Sequence, residues 1–179
     1  MTYKNIYVLS VIFFLASGIV GCDTLNRLTQ FNMTINSEWV FQSTLNLNLP
    51  IDLIVPDIET NASSTFEGEG TVADLVEDIQ LESLTIQLTS PNSEDFSFLE
   101  SLEVYIQTEG QIEQRIAFAE VISDNVGNTF ELDVESVNLT AYVASETFSL
   151  RFNSVIDEIV SQDMTIAIAA TFMVDAKLL

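Results

Sequence analysis

Residues 164–174, Met-Thr-Ile-Ala-Ile-Ala-Ala-Thr-Phe-Met-Val, decide the fold. Met164, Ile166, Ile168, Ala170, Phe172 and Val174 fall on one side of this stretch. Thr165, Ala167, Ala169, Thr171 and Met173 fall on the other, all of them small or nearly apolar. A period of two is the signature of a β-strand, whose successive side chains point to opposite faces. A strand that is apolar on one face and small on the other belongs inside a sheet, because an edge strand needs charges or bulges to keep other chains from pairing with it. Ile166, Ile168 and Phe172 are therefore expected in the core.

The same alternation recurs upstream. Trp39 to Leu49 places Trp39, Phe41, Leu45, Leu47 and Leu49 on one face, with Val40, Gln42, Thr44, Asn46 and Asn48 opposite. Phe31, Met33 and Ile35 alternate at the end of a polar lead-in. Pro50 and Pro56 bracket Ile51 to Val55, which predicts a piece lying along a sheet edge, where a missing N–H does no harm. Leu84, Ile86 and Leu88 form a strand, and Leu81 is out of phase with them, which predicts a bulge near Glu82 or Ser83. Leu102, Val104 and Ile106 begin another strand. Glu109-Gly110 then turns into Ile112 to Ile122 as a hairpin. Phe130, Leu132 and Val134 follow, and Phe148, Leu150 and Phe152 resume the pattern with Arg151 on the opposite face.

The punctuation between these runs is turn chemistry. Ser90 to Ser97 carries Pro91, Asn92 and Ser93. Asp124 to Asn128 predicts a turn with Gly127 or Asn128 at positive φ. Thr60 to Ser64 reads as a polar turn, and Thr65 to Thr71, with its alternating acids and glycines, as a short exposed strand. Val72 to Asp78 and Val137 to Ala144 have helical spacing for a turn or two. No helical pattern is long enough for a βαβ crossover. Eight or nine strands with one or two short helical turns predict an all-β protein, an antiparallel immunoglobulin-like β-sandwich. A closed barrel is the alternative, while uneven, few strands argue against a membrane pore.

Composition narrows the partners. The chain has 179 residues, 27 acids against 5 bases, no histidine and a formal charge of −22. No basic patch is available for nucleic acid. Attraction to anionic lipid headgroups is equally disfavoured. Without histidine, His-based triads and most zinc sites are excluded. Cys22 is the one cysteine, so no disulfide supports the fold.

The N-terminus has its own layout. Lys4 is followed by an apolar run from Ile6 to Val20, broken only by Ser10, Ser17 and Gly18, and the run ends Ile19-Val20-Gly21-Cys22. A basic start, an apolar middle and small residues at the end make a secretory signal. As a helix the run reaches only about 24 Å, short of the hydrocarbon core at about 30 Å, which argues against a membrane span. The tetrad resembles the lipobox of bacterial lipoproteins. That resemblance implies diacylglycerol on the sulfur of Cys22, cleavage between Gly21 and Cys22, and anchoring by palmitate-type acyl chains, of which stable attachment needs two or more. It also resolves the oddity of an unpaired cysteine in a secreted chain; a plain secretory cut near Gly18 or Gly21 would leave it unexplained. The expected organisation is a signal peptide at 1–21, a lipidated tether at 22–36 and the β-sandwich at 37–179. Losing Lys4 and no acid would take the formal charge from −22 to −23. Asp23 resembles the inner-membrane retention signal of enteric bacteria, whereas acids near the cysteine accompany surface export in Bacteroidetes. Asp23-Thr24-Leu25 also resembles the O-glycosylation sequon of that phylum. The outer membrane is the favoured location.

The remaining candidates are carboxylates. Glu67 and Glu69 on one strand face would stand about 7 Å apart, a spacing that could suit glycosidase chemistry, but charge that keeps an exposed edge strand from aggregating is the favoured account of them. Oxygen-rich stretches at Asp57 with Glu59, Asp74 with Glu77 and Asp78, Glu94 with Asp95, and Asp124 with Asn125 and Asn128 could suit calcium, but none follows the spacing of an EF-hand loop. No catalytic residue, metal ligand or cofactor is assigned. The expectation is a non-enzymatic cell-envelope lipoprotein, a membrane-tethered binding or structural module for a protein or glycan partner. The alternative is a carboxylate-dependent hydrolase of envelope or extracellular glycans.

Overall fold

The computed structural model describes residues 29–43, 50–156, 158 and 160–177. Eight strands carry the fold: β1 Gln30–Phe41, β2 Pro50–Glu59, β3 Val76–Ser90, β4 Leu99–Gln107, β5 Gln114–Ala119, β6 Thr129–Val134, β7 Thr147–Ile156 and β8 Met164–Ala176. Two short helices, α1 Ala62–Gly68 and α2 Thr140–Val143, and a 3-10 turn at Ala73–Leu75 sit between them. The protein is an antiparallel β-sandwich.

The strands run in the order β1-β8-β3-β6-β5-β4-β7-β2. Four strands form each layer, joined by a ladder of only two pairs, Ala117 with Val134 and Phe118 with Asp133. The ladders couple β1 to β8, β2 to β7, β3 to β6 and β4 to β5, all antiparallel. The chain is thus one long hairpin, folded back on itself and then rolled so that β3 meets β8 and β4 meets β7. Eight strands rolled in this way make a jelly roll. Alternation within a strand reports which side chains are buried; the strand order is set by non-local pairing.

β8 sits where its composition places it, between β1 and β3. Its burial alternates without a break over thirteen residues, Met164 to Ala176. Phe172 and Val174 are fully buried, and Phe172 meets Phe148 of the opposite layer edge to face at 6.3 Å. The small outward side chains Thr165, Ala167, Ala169 and Thr171 leave room for taller neighbours on β1 and β3. On β3 the register shifts between Leu81 and Ser83. The extra residue is Glu82, which lets Leu81 and Leu84 both face the core although they are out of phase. Gly127 turns at φ 79° and Gly110 at φ 77°, left-handed values that favour glycine.

Three expectations change. The tether expected at 22–36 is strand from Gln30 onward, with Met33 and Ile35 in the core, so its last residues belong to the sandwich. Thr65 to Thr71 is not a strand: most of it lies in α1, because Ala62 and Phe66, four apart, bury on one helical face. Asn61 starts that helix from a left-handed φ of 52°. Val72 to Asp78 forms only the 3-10 turn before β3 begins at Val76. β2 is an edge strand as its prolines require, with a bulge between Val55 and Ile58 that holds Pro56 and Asp57. The expected positions 44–49 of the first strand lie outside the described residues.

Candidate functional site

Gly21, Cys22 and the Asp23-Thr24-Leu25 triplet lie outside the described residues. The carboxylates do not. Glu67 is on α1 and Glu69 is its C-cap, both exposed, so the strand-face spacing expected of them does not exist. Asp57 stands in the β2 bulge at φ 52°. Glu77 pairs with Lys177 and Asp78 accepts from Gln80. Glu94 accepts from Gln162, while Asp95 accepts the Ser97 amide, and its bonds from Ser97 lower its pKa. Asp124, Asn125 and Asn128 are exposed on their loop. Among the described residues no three carboxylates converge as a metal site would require.

What the fold does bring together is a charged network on the outer face of the β2-β7-β4-β5 layer. The inward run Phe148, Leu150 and Phe152 turns Arg151 outward. Register places Arg151 opposite Tyr105, and Tyr105 opposite Arg115. Arg151 grips Glu113 with two parallel bonds of 2.7 Å and reaches Asp52 on β2. Its guanidinium lies 4.2 Å above the ring of Tyr105, within cation–π range. Asp52 also accepts from Asn153 at 2.9 Å. The Tyr105 hydroxyl donates to Glu103, and Glu103 accepts from Arg115 at 2.8 Å. Arg115 continues to Glu135 and covers the ring of Phe118 at 4.7 Å.

The electrostatics follow from these contacts. Hydrogen bonds from Asn153 and Arg151 hold Asp52 below its ordinary range. Arg115 and then Tyr105 do the same for Glu103, and Arg151 does so for Glu113. Burial, then the bond to Glu103, pushes the Tyr105 hydroxyl up. At neutral pH every carboxylate named here stays ionised and the tyrosine stays protonated. Such groups are poorly matched to proton transfer, which needs a pKa near the working pH. A planar, bidentate network of this kind is suited to holding a surface rigid.

Sequence reasoning placed Arg151 outward and left the network unseen. Its members come from β2, β4, β5, β7 and two loops, and only the register unites them. A groove of about 760 Å³ lies at the end of the sandwich, between the Gln107–Gln111 turn, Ser145–Ser149 and Asp57. Glu109 and Glu146 stand on its rim with Asp57. Ile54, Ile112 and Val121 are exposed apolar residues. Among the described residues no helix is long and apolar enough to cross a membrane.

No family model matches the sequence, and no curated protein matches it. Among solved structures the chain is similar to the Cyanophage Pam1 capsid asymmetric unit, with 10% identity over 81% of this chain and 86% of that one and a TM-score of 0.41. It is similar to Cocksfoot mottle virus at 11% identity, over 84% and 86% of the two chains, with a TM-score of 0.31. The 60-mer BFDV capsid protein is similar at 7% identity, over 83% and 94%, with a TM-score of 0.31.

Proposed function

We propose that this chain is a lipid-tethered, non-enzymatic module of the bacterial cell envelope, favouring the outer membrane, that presents a rigid sandwich face to a protein partner. The observation that carries the reading is the layout of residues 4–22, which places the one cysteine at the end of a secretory signal and directly before the domain. β1 starts at Gln30, so the seven residues between Cys22 and the strand would reach at most about 25 Å. Anchored there, the sandwich would stand close to the bilayer with the Gln30 end of β1 facing it. Asp57, Glu59, Glu109 and Glu146 lie at that same end. Their charge would repel anionic headgroups, so the attachment rests on acyl chains.

The partner is argued from the network. Its carboxylates and guanidiniums are paired and pre-ordered, which lowers the entropy lost on docking. Arg151 covers the ring of Tyr105, so that ring does not offer a sugar its outward face; a protein is favoured over a glycan for this reason. The strongly negative charge selects a basic partner surface and speeds its encounter at low salt. Photo-crosslinking in cells tests this. A crosslinker at Ile54, on β2 beside the network, should give a discrete protein adduct, and one at Thr171 on the other layer should give none. Equal or diffuse labelling from both positions would overturn the reading.

A further inference from the structure

The two edges of the sandwich differ. β1 and β2 end the strand order and share no ladder. β2 is defended against other chains: Pro50 and Pro56 lack amides, the bulge between Val55 and Ile58 breaks its line, and Asp52, Asp57 and Glu59 add charge. β1 is not. Its twelve residues hold no proline, no base and one acid, Glu38, and they pair with β8 without a register shift. The Ala176 amide bonds the Thr29 carbonyl. Backbone groups alternate in direction along an antiparallel strand, so the odd-numbered residues of β1 turn theirs to β8. Gln30, Asn32, Thr34, Asn36, Glu38 and Val40 turn theirs outward, and all of them are exposed. Among the described residues no strand takes up these amides and carbonyls. A long, regular, undefended edge is a template for another strand.

We infer that the outer edge of β1 is a strand-addition site for an extended segment of a partner protein in which apolar and basic residues alternate. The occupant is a strand because the unmet groups are a row of main-chain donors and acceptors, which a strand matches. Its alternation follows from the layer it joins. On the core side Phe31 and Trp39 are only half-buried, while Met33 and Ile35 between them are buried. Apolar side chains on the inward face of the added strand would cover both rings. On the outer side the edge is lined by acid: Glu38 on β1, Asp175 bonded to Gln30, and Glu82 bonded to Asn32. Lys177, next to Ala176, is paired with Glu77. Basic side chains complement that outer row. A second copy of this chain fits less well, because it would bring a further charge of −22 to the edge. Thr171 lies one strand in from the edge, opposite Thr34, and points out of the layer, so the added strand leaves it clear. The inference is independent of the lipid anchor and of the network around Arg151, which lies on the other layer.

The test uses the full chain in a non-ionic detergent and the peptide Lys-Val-Lys-Val-Lys-Val-Lys-Val. Trp39 is the only tryptophan and lies on the edge strand, so an added strand that covers it should shift its emission saturably to the blue. The same residues in block order, lysines first, carry the charge without the alternation and should bind about tenfold more weakly. Asn36→Pro removes one outward amide and leaves the ladder to β8 intact. It should weaken the alternating peptide about tenfold, with the melting temperature little changed. Glu38→Lys reverses the charge of the edge without touching the backbone, and should weaken the peptide most at low salt; it decides the matter if the proline disturbs the strand. No saturable shift, equal affinity for the two peptides, or wild-type affinity in Glu38→Lys would each overturn the assignment. So would a peptide-free dimer that Asn36→Pro dissolves, since that would give the edge to a second copy.

Discussion

Replacing Phe172 with alanine tests the core and the register of β8 together. Phe172 is fully buried, lies in the middle of the central strand, and packs edge to face on Phe148 across the sandwich. Loss of a buried phenylalanine typically costs about 3–5 kcal/mol, from lost transfer energy and the cavity that remains. A domain of this size is stabilised by about 5–15 kcal/mol in total, and no disulfide limits the loss. Thr171 is the control, one residue away. It is half-exposed on the outer face, and its hydroxyl lies 3.1 Å from that of Thr34. Thr171→Ala removes one exposed hydrogen bond and should cost about 1 kcal/mol or less. Urea unfolding followed by Trp39 emission measures both, with the slope against urea checking that the unfolded states are comparable. Because a one-residue slip sends every side chain of a strand to the other face, an error in register would exchange the two effects. Refutation is simple to recognise: Thr171→Ala as damaging as Phe172→Ala, or more so.

The charge network makes a pH prediction. Asp52, Glu103 and Glu113 have pKa values below their unfolded ones, so their contribution is full above about pH 4–5 and is lost as pH falls through the folded values. The melting temperature should therefore hold between pH 7 and about pH 5 and fall as the pH drops below about 4. Arg151→Met leaves Asp52 and Glu113 facing each other without a cation. It should lower the melting temperature at pH 7 and progressively less as the pH falls through the folded values of both carboxyls; an equal loss at every pH would show that the network carries no linkage. Calcium, magnesium and EDTA should give superimposable melts, because the described carboxylates do not converge. A rise in calcium alone would reveal a site.

Much of this fold was legible because a strand's burial pattern is local. The alternation of β8, the bulge at Glu82 and the turn at Gly127 are each written in a few neighbouring residues. The start of β1 was partly visible in Phe31, Met33 and Ile35, which alternate through a stretch otherwise polar enough to pass for a tether. α1 was obscured by Glu67, Gly68, Glu69 and Gly70, whose acid and glycine alternation mimics a strand. The informative pair was Ala62 and Phe66, and a single i, i+4 contact is too little to outweigh that mimicry. Strand order was not legible at all, since an apolar face is satisfied by any opposing layer. The network around Arg151 was hidden for the same reason: Asp52, Tyr105, Glu113 and Arg151 are far apart in the chain and meet only once β2, β4 and β7 are in register.

The lipid anchor is the claim on which the functional reading stands, and the intact mass of the protein extracted from membranes measures it most directly. The reading predicts a chain that begins at Cys22, lacks residues 1–21, and carries the added mass of a diacylglycerol with or without a further acyl chain. It also predicts that Cys22→Ser yields an unacylated precursor that retains residues 1–21. A mature chain with an unmodified Cys22 thiol, or one beginning at another residue, would contradict it.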